Sequence, residues 1–134
     1  ISDVPPVRRD LIQRRRYLVP NSIVVTRGCP QHCDFCYKDA FFHGGRSFYT
    51  QRVDAALAEI ERLPGRHLYF LDDHLLGDPR FARELFAGMT GMNRLFQGAA
   101  TVDSILEPEW VAVVKRIFSD PTVGAATGPM IPIA

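Results

Sequence analysis

Three short apolar segments alternate with three amphipathic segments along this chain, and this alternation constrains its fold more than any other feature. Runs of β-branched and aromatic residues predict buried strands, whereas apolar residues three and four apart predict helices with one buried face. A strand–helix order at this spacing is typical of an α/β fold with parallel strands and right-handed crossovers. The predicted strands are 22–26, 67–71 and 95–102, and the predicted helices are about 50–63, one that begins at 78–79 and one over 107–117.

Local signals predict where these elements begin and end. Pro64-Gly65 is expected to end the first helix, and Asp78-Pro79 supplies an N-cap and a first-turn proline for the second. Gly98 is expected to break or bulge the third strand. The segment that follows the first strand, through residue 45, is predicted to be a loop. The side chains of the second helix that are expected to face inward are Phe81, Leu85 and Met89.

The carboxyl ends of parallel strands are where ligands bind in such sheets. That rule places residues 26–36, Asp72-Asp73 and residues 101–104 on one rim of the predicted sheet. All three segments carry polar or metal-ligating side chains. The sequence therefore predicts a functional site at this rim.

The chain has three cysteines, Cys29, Cys33 and Cys36, with the spacing C-x3-C-x2-C. An odd and clustered set is a poor disulfide framework and indicates a reduced, cytoplasmic compartment. Three thiolates can each bind one iron of a 4Fe-4S cluster, whereas a fully closed cluster needs four. Because the chain has no fourth cysteine, one iron would keep a position open for another ligand.

This spacing, with the aromatic Phe35 before the last cysteine and a strand before the motif, resembles the signature of the radical S-adenosylmethionine (SAM) superfamily. The resemblance extends over most of residues 7–118 and implies the N-terminal half of a partial (βα)6 TIM-type barrel. It implies that the open iron binds SAM, with Phe35 beside the cofactor, and that the reduced cluster cleaves SAM to a 5′-deoxyadenosyl radical. Hydrogen abstraction or methyl transfer on an unknown, small-molecule substrate would follow, with electrons from a flavodoxin- or ferredoxin-type donor.

Five polar residues are further candidates for cofactor binding under this resemblance. Asp72-Asp73 takes the place of the family's Gly-Gly-Glu segment, and a carboxylate there would pair with the SAM ammonium group; alternatively, one aspartate caps the following turn. Arg46 matches an Arg-Ser pair that follows the cluster loop in the family, or it belongs to a helix N-cap that contacts solvent. Thr101 and Asp103 would face the site from the end of the third strand, or Asp103 would cap its loop.

Other uses of the cysteines stay open at this point. Zinc could bind the three thiolates with His32 or His43, although zinc sites favour paired C-x2-C units and no second pair exists. A small zinc or iron–sulfur module without catalysis is therefore the alternative to an enzyme. Free structural cysteines fit less well, because inert buried cysteines have no reason to cluster.

Both ends of the chain are expected to lie outside the core. Residues 1–20, rich in proline and arginine, predict a linker or arm, residues 21–118 a partial radical SAM core, and residues 119–134 an irregular tail. The connector before the first strand, with Asp72-Asp73, resembles that of radical SAM proteins with a cobalamin-binding domain, which implies cobalamin on a domain absent from these residues. A half-length barrel also leaves an inactive fragment open, and a first residue other than Met predicts a start inside a longer protein.

Charge and hydropathy exclude two classes of partner. The formal net charge is +1, which gives no electrostatic reason to expect nucleic-acid binding. No apolar run approaches the roughly 20 residues of a membrane span. With 46% hydrophobic and 23% charged residues, the composition is typical of a folded globular domain.

Overall fold

A parallel three-stranded sheet organises the computed structural model, which describes residues 5, 7–43 and 45–101. The strand order in this sheet is β1-β4-β5, and a separate two-stranded sheet pairs β2 with β3. The strands are β1 (Ser22–Ile23), β2 (Thr26–Gly28), β3 (Phe48–Thr50), β4 (His67–Phe70) and β5 (Leu95–Gln97); the helices are α1 (Lys38–Phe42), α2 (Val53–Arg62) and α3 (Pro79–Gly88), with 3-10 turns at Arg9–Leu11 and Arg14–Arg16.

The register of the parallel sheet follows the predicted order of strands. Ser22 lies opposite Tyr69 in the β1–β4 pair, and His67 lies opposite Leu95 in the β4–β5 pair. The helix α3 lies between β4 and β5 in the chain, as a parallel crossover requires. The α/β class with parallel strands is thereby confirmed.

Alternate residues of β4 and one face of each long helix form the hydrophobic core. Leu68 and Phe70 are buried in β4, and the ring of Phe96 stacks on Phe86 of α3 with centroids 5.1 Å apart. The predicted inward side chains of the second helix are all buried. Each long helix and the residue that follows it contribute to the core, through Ala56, Ile60, Leu63, Phe81, Ala82, Leu85, Phe86 and Met89.

The start of α3 confirms the capping prediction. The Asp78 carboxylate accepts hydrogen bonds from the backbone N–H groups of Arg80 and Phe81, at 3.0 and 3.1 Å. Pro79 occupies the first turn, where its missing N–H leaves no hydrogen bond unmade. In the described residues no helix is long and apolar enough to cross a membrane.

The first predicted strand is interrupted, which the sequence did not indicate. Parallel pairing with β4 ends at Ile23, and Thr26 begins β2, which runs antiparallel to β3 with Thr26 opposite Thr50. The cause is a competition for backbone groups: the Val25 and Thr26 N–H groups donate to a side-chain carboxylate, and both Val24 and Val25 carbonyls accept from Gln51.

Two further segments differ from the prediction. Residues 38–42, predicted as loop, form the single-turn helix α1. The third strand is shorter than the predicted 95–102, because it ends at Gln97, directly before the break expected at Gly98. A Cβ atom at Gly98 would lie 2.9 Å from Leu75 Cδ2. The predicted helix over 107–117 and the tail from 119 onward lie outside the described residues.

Gly28 is the position where β2 most requires a glycine. Its φ is +80°, and a Cβ atom there would lie 1.9 Å from the Ser47 carbonyl oxygen. We expect Gly28→Ala to lower the free energy of unfolding by more than about 2 kcal/mol, from backbone strain and this clash together.

Gly91→Ala is the matched control for this substitution. Gly91 has nearly the same φ of +83° but nothing within 4 Å of its added Cβ, so only the backbone cost of about 1 kcal/mol remains. Equal losses for the two variants in urea unfolding would show that the close approach to Ser47 contributes nothing.

Candidate functional site

A buried carboxylate joins the ends of the first two parallel strands. Asp72, which is 4% exposed, follows β4, and its Oδ1 atom accepts hydrogen bonds from Val25 N–H (3.0 Å), Thr26 N–H and Thr26 Oγ1 (2.7 Å). Burial raises the pKa of Asp72, and the hydrogen bonds from Thr26 and Val25 oppose that rise. The Oδ2 atom of Asp72 has no hydrogen-bond partner in the part of the chain that the structure describes.

The neighbouring Asp73 binds the backbone two residues further along the same segment, at Gly28. The Asp73 Oδ2 atom accepts from the Gly28 N–H at 3.0 Å, and the residue is exposed. Both carboxylates of the pair therefore hydrogen-bond the backbone that leads to the first cysteine. These contacts differ from the capping of the following turn that was considered from sequence.

The backbone of the first cysteine makes three hydrogen bonds, two of them with side chains. Cys29 N–H donates to the Ser47 carbonyl at 3.1 Å, and the Cys29 carbonyl accepts from Ser47 Oγ at 3.1 Å and from Lys38 Nζ at 2.9 Å. Lys38 also donates to the Gln31 carbonyl. The entry to the cysteine loop is therefore anchored on the β2–β3 hairpin and on α1.

The three thiols differ in their exposure. Cys33 is exposed, Cys29 and Cys36 are partly buried, and none is in a disulfide. The Cys36 N–H donates to the Cys33 carbonyl at 2.9 Å, so these two residues share one turn.

The donor chemistry of this loop fits an iron–sulfur cluster, since thiolates are the ligands that such clusters take. Within residues 5, 7–43 and 45–101, however, no three His, Cys, Asp or Glu side chains are arranged as a metal-binding group. Cluster binding would therefore require the outer part of the loop to gather Cys33 and Cys36 toward the anchored Cys29.

Two of the predicted cofactor contacts lie on the exposed side of this loop. Phe35 is 94% exposed. Arg46 is exposed, donates to the Phe48 carbonyl at 3.0 Å and places its guanidinium 4.8 Å from the Tyr49 ring centroid. The alternative of a helix N-cap at Arg46 is wrong, because β3 intervenes and the N-cap residue of α2 is Arg52.

The segment that follows β5 brings Thr101 to a buried histidine. Thr101 Oγ1 lies 3.5 Å from His74 Nε2, and His74 is 1% exposed. Burial lowers the pKa of His74, which favours the neutral form of its ring. Asp103, the remaining candidate, lies outside the described residues.

The sequence prediction missed Lys38, although a signal was present. The chain has 14 arginines and only two lysines, and one of these lysines stands two residues after the third cysteine. An ammonium group is a compact donor of three hydrogen bonds, which a narrow space between carbonyl oxygens favours over a planar guanidinium.

Comparison with known proteins adds one similarity. No protein-family model and no solved structure matches the chain. Among curated proteins, the chain is similar to the bacteriochlorophyllide d C-12(1)-methyltransferase of Chlorobaculum tepidum, with 30% identity over 105 residues that cover 74% of this chain. The chain spans 22% of the length of that relative, so the similarity concerns one part of a methyltransferase.

Substitution of Asp72 should separate its hydrogen bonds from its charge. Asp72→Ala leaves the buried Val25 and Thr26 N–H groups without an acceptor, and we expect a loss of about 3 kcal/mol in the free energy of unfolding. Asp72→Asn keeps one acceptor oxygen and is expected to lose less than half as much.

The pH dependence of these variants has a defined sign. Burial raises the folded-state pKa of Asp72 above the ordinary value of 3.8, so the stability from its protonated form is present below that value. This contribution is lost as the pH rises through the raised pKa. Urea unfolding across this range should show wild type losing stability relative to Asp72→Asn; a difference independent of pH would contradict the assignment.

Proposed function

We propose that this chain is the cluster-bearing part of a radical SAM enzyme. The observation that carries the proposal is a C-x3-C-x2-C loop that follows β2, beyond the carboxyl end of the parallel strand β1, with the aspartate pair after β4 hydrogen-bonded to the backbone that leads to it. Ligand sites of parallel α/β sheets form at that end of the strands. Similarity to part of a methyltransferase supports an enzyme.

Cys29, Cys33 and Cys36 would hold a 4Fe-4S cluster, with one iron left for SAM because the chain contains no fourth cysteine. When bound, the cluster and SAM supply the one-electron chemistry and the group that is transferred. The residues of this chain bind and orient them. The anchored backbone at Cys29 fixes where the first thiol stands, and the exposed outer loop leaves the others free to gather around the iron.

Asp73 is the aspartate best suited to the SAM ammonium group. It is exposed beside the start of the cysteine loop, whereas one oxygen of Asp72 accepts three hydrogen bonds from within the fold. A charge-assisted hydrogen bond from an ammonium group to an accessible carboxylate is strong. Phe35, Arg46, Thr101 and Asp103 stay predictions as further contacts to the cofactor.

Methyl transfer is the reaction class we propose, supported by the similarity to part of a methyltransferase. A small-molecule substrate, a flavodoxin- or ferredoxin-type electron donor, a cytoplasmic location and cobalamin on another domain stay predictions from the sequence.

Cluster loading tests the first part of the proposal. Anaerobic incubation with iron and sulfide should give about four irons and four sulfides per chain. Replacing the three cysteines with serine should abolish this uptake, because serine offers no thiolate. His32→Ala and His43→Ala are the controls and should load fully. One zinc per chain, lost in either histidine variant, would favour the zinc module instead.

Turnover of SAM tests the second part. The loaded chain, given SAM and a chemical reductant, is expected to release 5′-deoxyadenosine or a methylated product. A chain that binds the cluster but consumes no SAM would be an inactive fragment, an outcome in keeping with its 22% share of the relative's length.

Asp73→Asn should weaken SAM binding to the loaded chain by about tenfold or more, because an ammonium-carboxylate hydrogen bond is replaced by a neutral one. Isothermal titration measures the affinity, and Glu84→Gln, which removes an equal charge from the exposed face of α3, is the control. Equal affinities for wild type and Asp73→Asn would remove Asp73 from the cofactor site.

A further inference from the structure

A buried lysine closes the first part of the cysteine loop. Lys38 is 3% exposed, and its ammonium group donates to the carbonyl oxygens of Cys29, at 2.9 Å, and of Gln31. Burying a cationic head group costs free energy unless it is hydrogen-bonded. The two hydrogen bonds to carbonyl oxygens offset this cost for Lys38. The hydrogen bond to Cys29 joins the first residue of the cysteine loop to Lys38, which is the first residue of α1.

The closed segment contains all three cysteines. It runs from Cys29 to Lys38, with Cys36 two residues before its end. Ser47 holds the same Cys29 carbonyl and also accepts from the Cys29 N–H, so the beginning of the segment is fixed from two sides. Cys33, at the middle, is exposed. The segment therefore has two held ends and an open centre.

We propose that Lys38 is a positioning residue that holds the ends of the cysteine loop together before metal arrives. Closing a loop costs conformational entropy, and a loop that is already closed binds its ligand more tightly because that cost has been met. Lys38 thereby joins the chain on the two sides of the cysteine loop, and the outer part of the loop then gathers Cys33 and Cys36 toward Cys29. This inference rests on the proposed function in that the three thiols bind a cluster.

Thiol alkylation of the metal-free chain tests the positioning role without any cluster. In wild type, N-ethylmaleimide should modify Cys33 faster than Cys29 and Cys36. Lys38→Met keeps the length of the stem but removes the donors, and it should raise the rates at Cys29 and Cys36 by about tenfold, equivalent to about 1.4 kcal/mol, with little change at Cys33. Arg66→Met removes one charge from an exposed side chain at the opposite end of β4 and should change none of the rates.

A merely structural role for Lys38 gives a different result. It would lower the unfolding midpoint and speed alkylation of all three cysteines alike, which would overturn the inference. If Lys38→Met fails to fold by circular dichroism, Lys38→Gln is the second variant, because its amide keeps two N–H donors without the bulk of a guanidinium. That variant should still protect Cys29 relative to Cys33, and equal rates at the two cysteines would again overturn the inference.

Cluster loading of the same variants separates this inference from the proposed function. With iron and sulfide under anaerobic conditions, Lys38→Met should load about tenfold more slowly than wild type and Arg66→Met, and the electron paramagnetic resonance spectrum of its reduced cluster should be altered. Loading at the wild-type rate with an unchanged spectrum would overturn the role of Lys38 and leave the proposed function standing. If wild type itself takes up no iron, the proposed function fails, and the alkylation rates still decide whether Lys38 closes the loop.

Discussion

The carboxylate of Asp72 sets the path of the chain through the whole rim. Three hydrogen bonds converge on one of its oxygen atoms from Val25 and Thr26, inside a region from which solvent is excluded. These bonds occupy the backbone donors that directly follow β1. Because a buried N–H group must have an acceptor, the carboxylate decides that parallel pairing ends at Ile23.

The redirected chain then forms the hairpin on which the cysteine loop is built. Thr26–Gly28 pairs with Phe48–Thr50, and Gly28 comes so close to Ser47 that no side chain fits between them. The next residue is Cys29, whose backbone is bonded to Ser47 in both directions. The Asp72 carboxylate, which follows β4, thus determines through the β2–β3 pair where the first thiol of the cysteine loop stands.

The cysteine loop combines a rigid base with an exposed outer part. Cys29 is held by Ser47 and Lys38, while Cys33 and Phe35 are exposed. A site that takes up a preformed or assembling cluster needs both properties, because one fixed ligand orients the cluster while the others close around it.

The sequence by itself determined the class of fold and the segments that meet at the rim. Helical spacing of Phe81, Leu85 and Met89, the N-cap at Asp78 and the apolar runs at β1 and β4 are local signals, and local signals survive folding when the core agrees with them. The cysteine spacing predicts a metal site from covalent order alone, and this site stays a prediction.

Only the tertiary structure decided what the polar residues of the rim do. Asp72 and Asp73 are adjacent and chemically identical in the sequence, yet one is buried beneath β2 and the other is exposed beside Gly28. Lys38 acquires its contacts only because the loop brings the Cys29 and Gln31 carbonyls back to it. These roles depend on partners up to 47 residues away, and such distant pairings are set by packing rather than by local pattern.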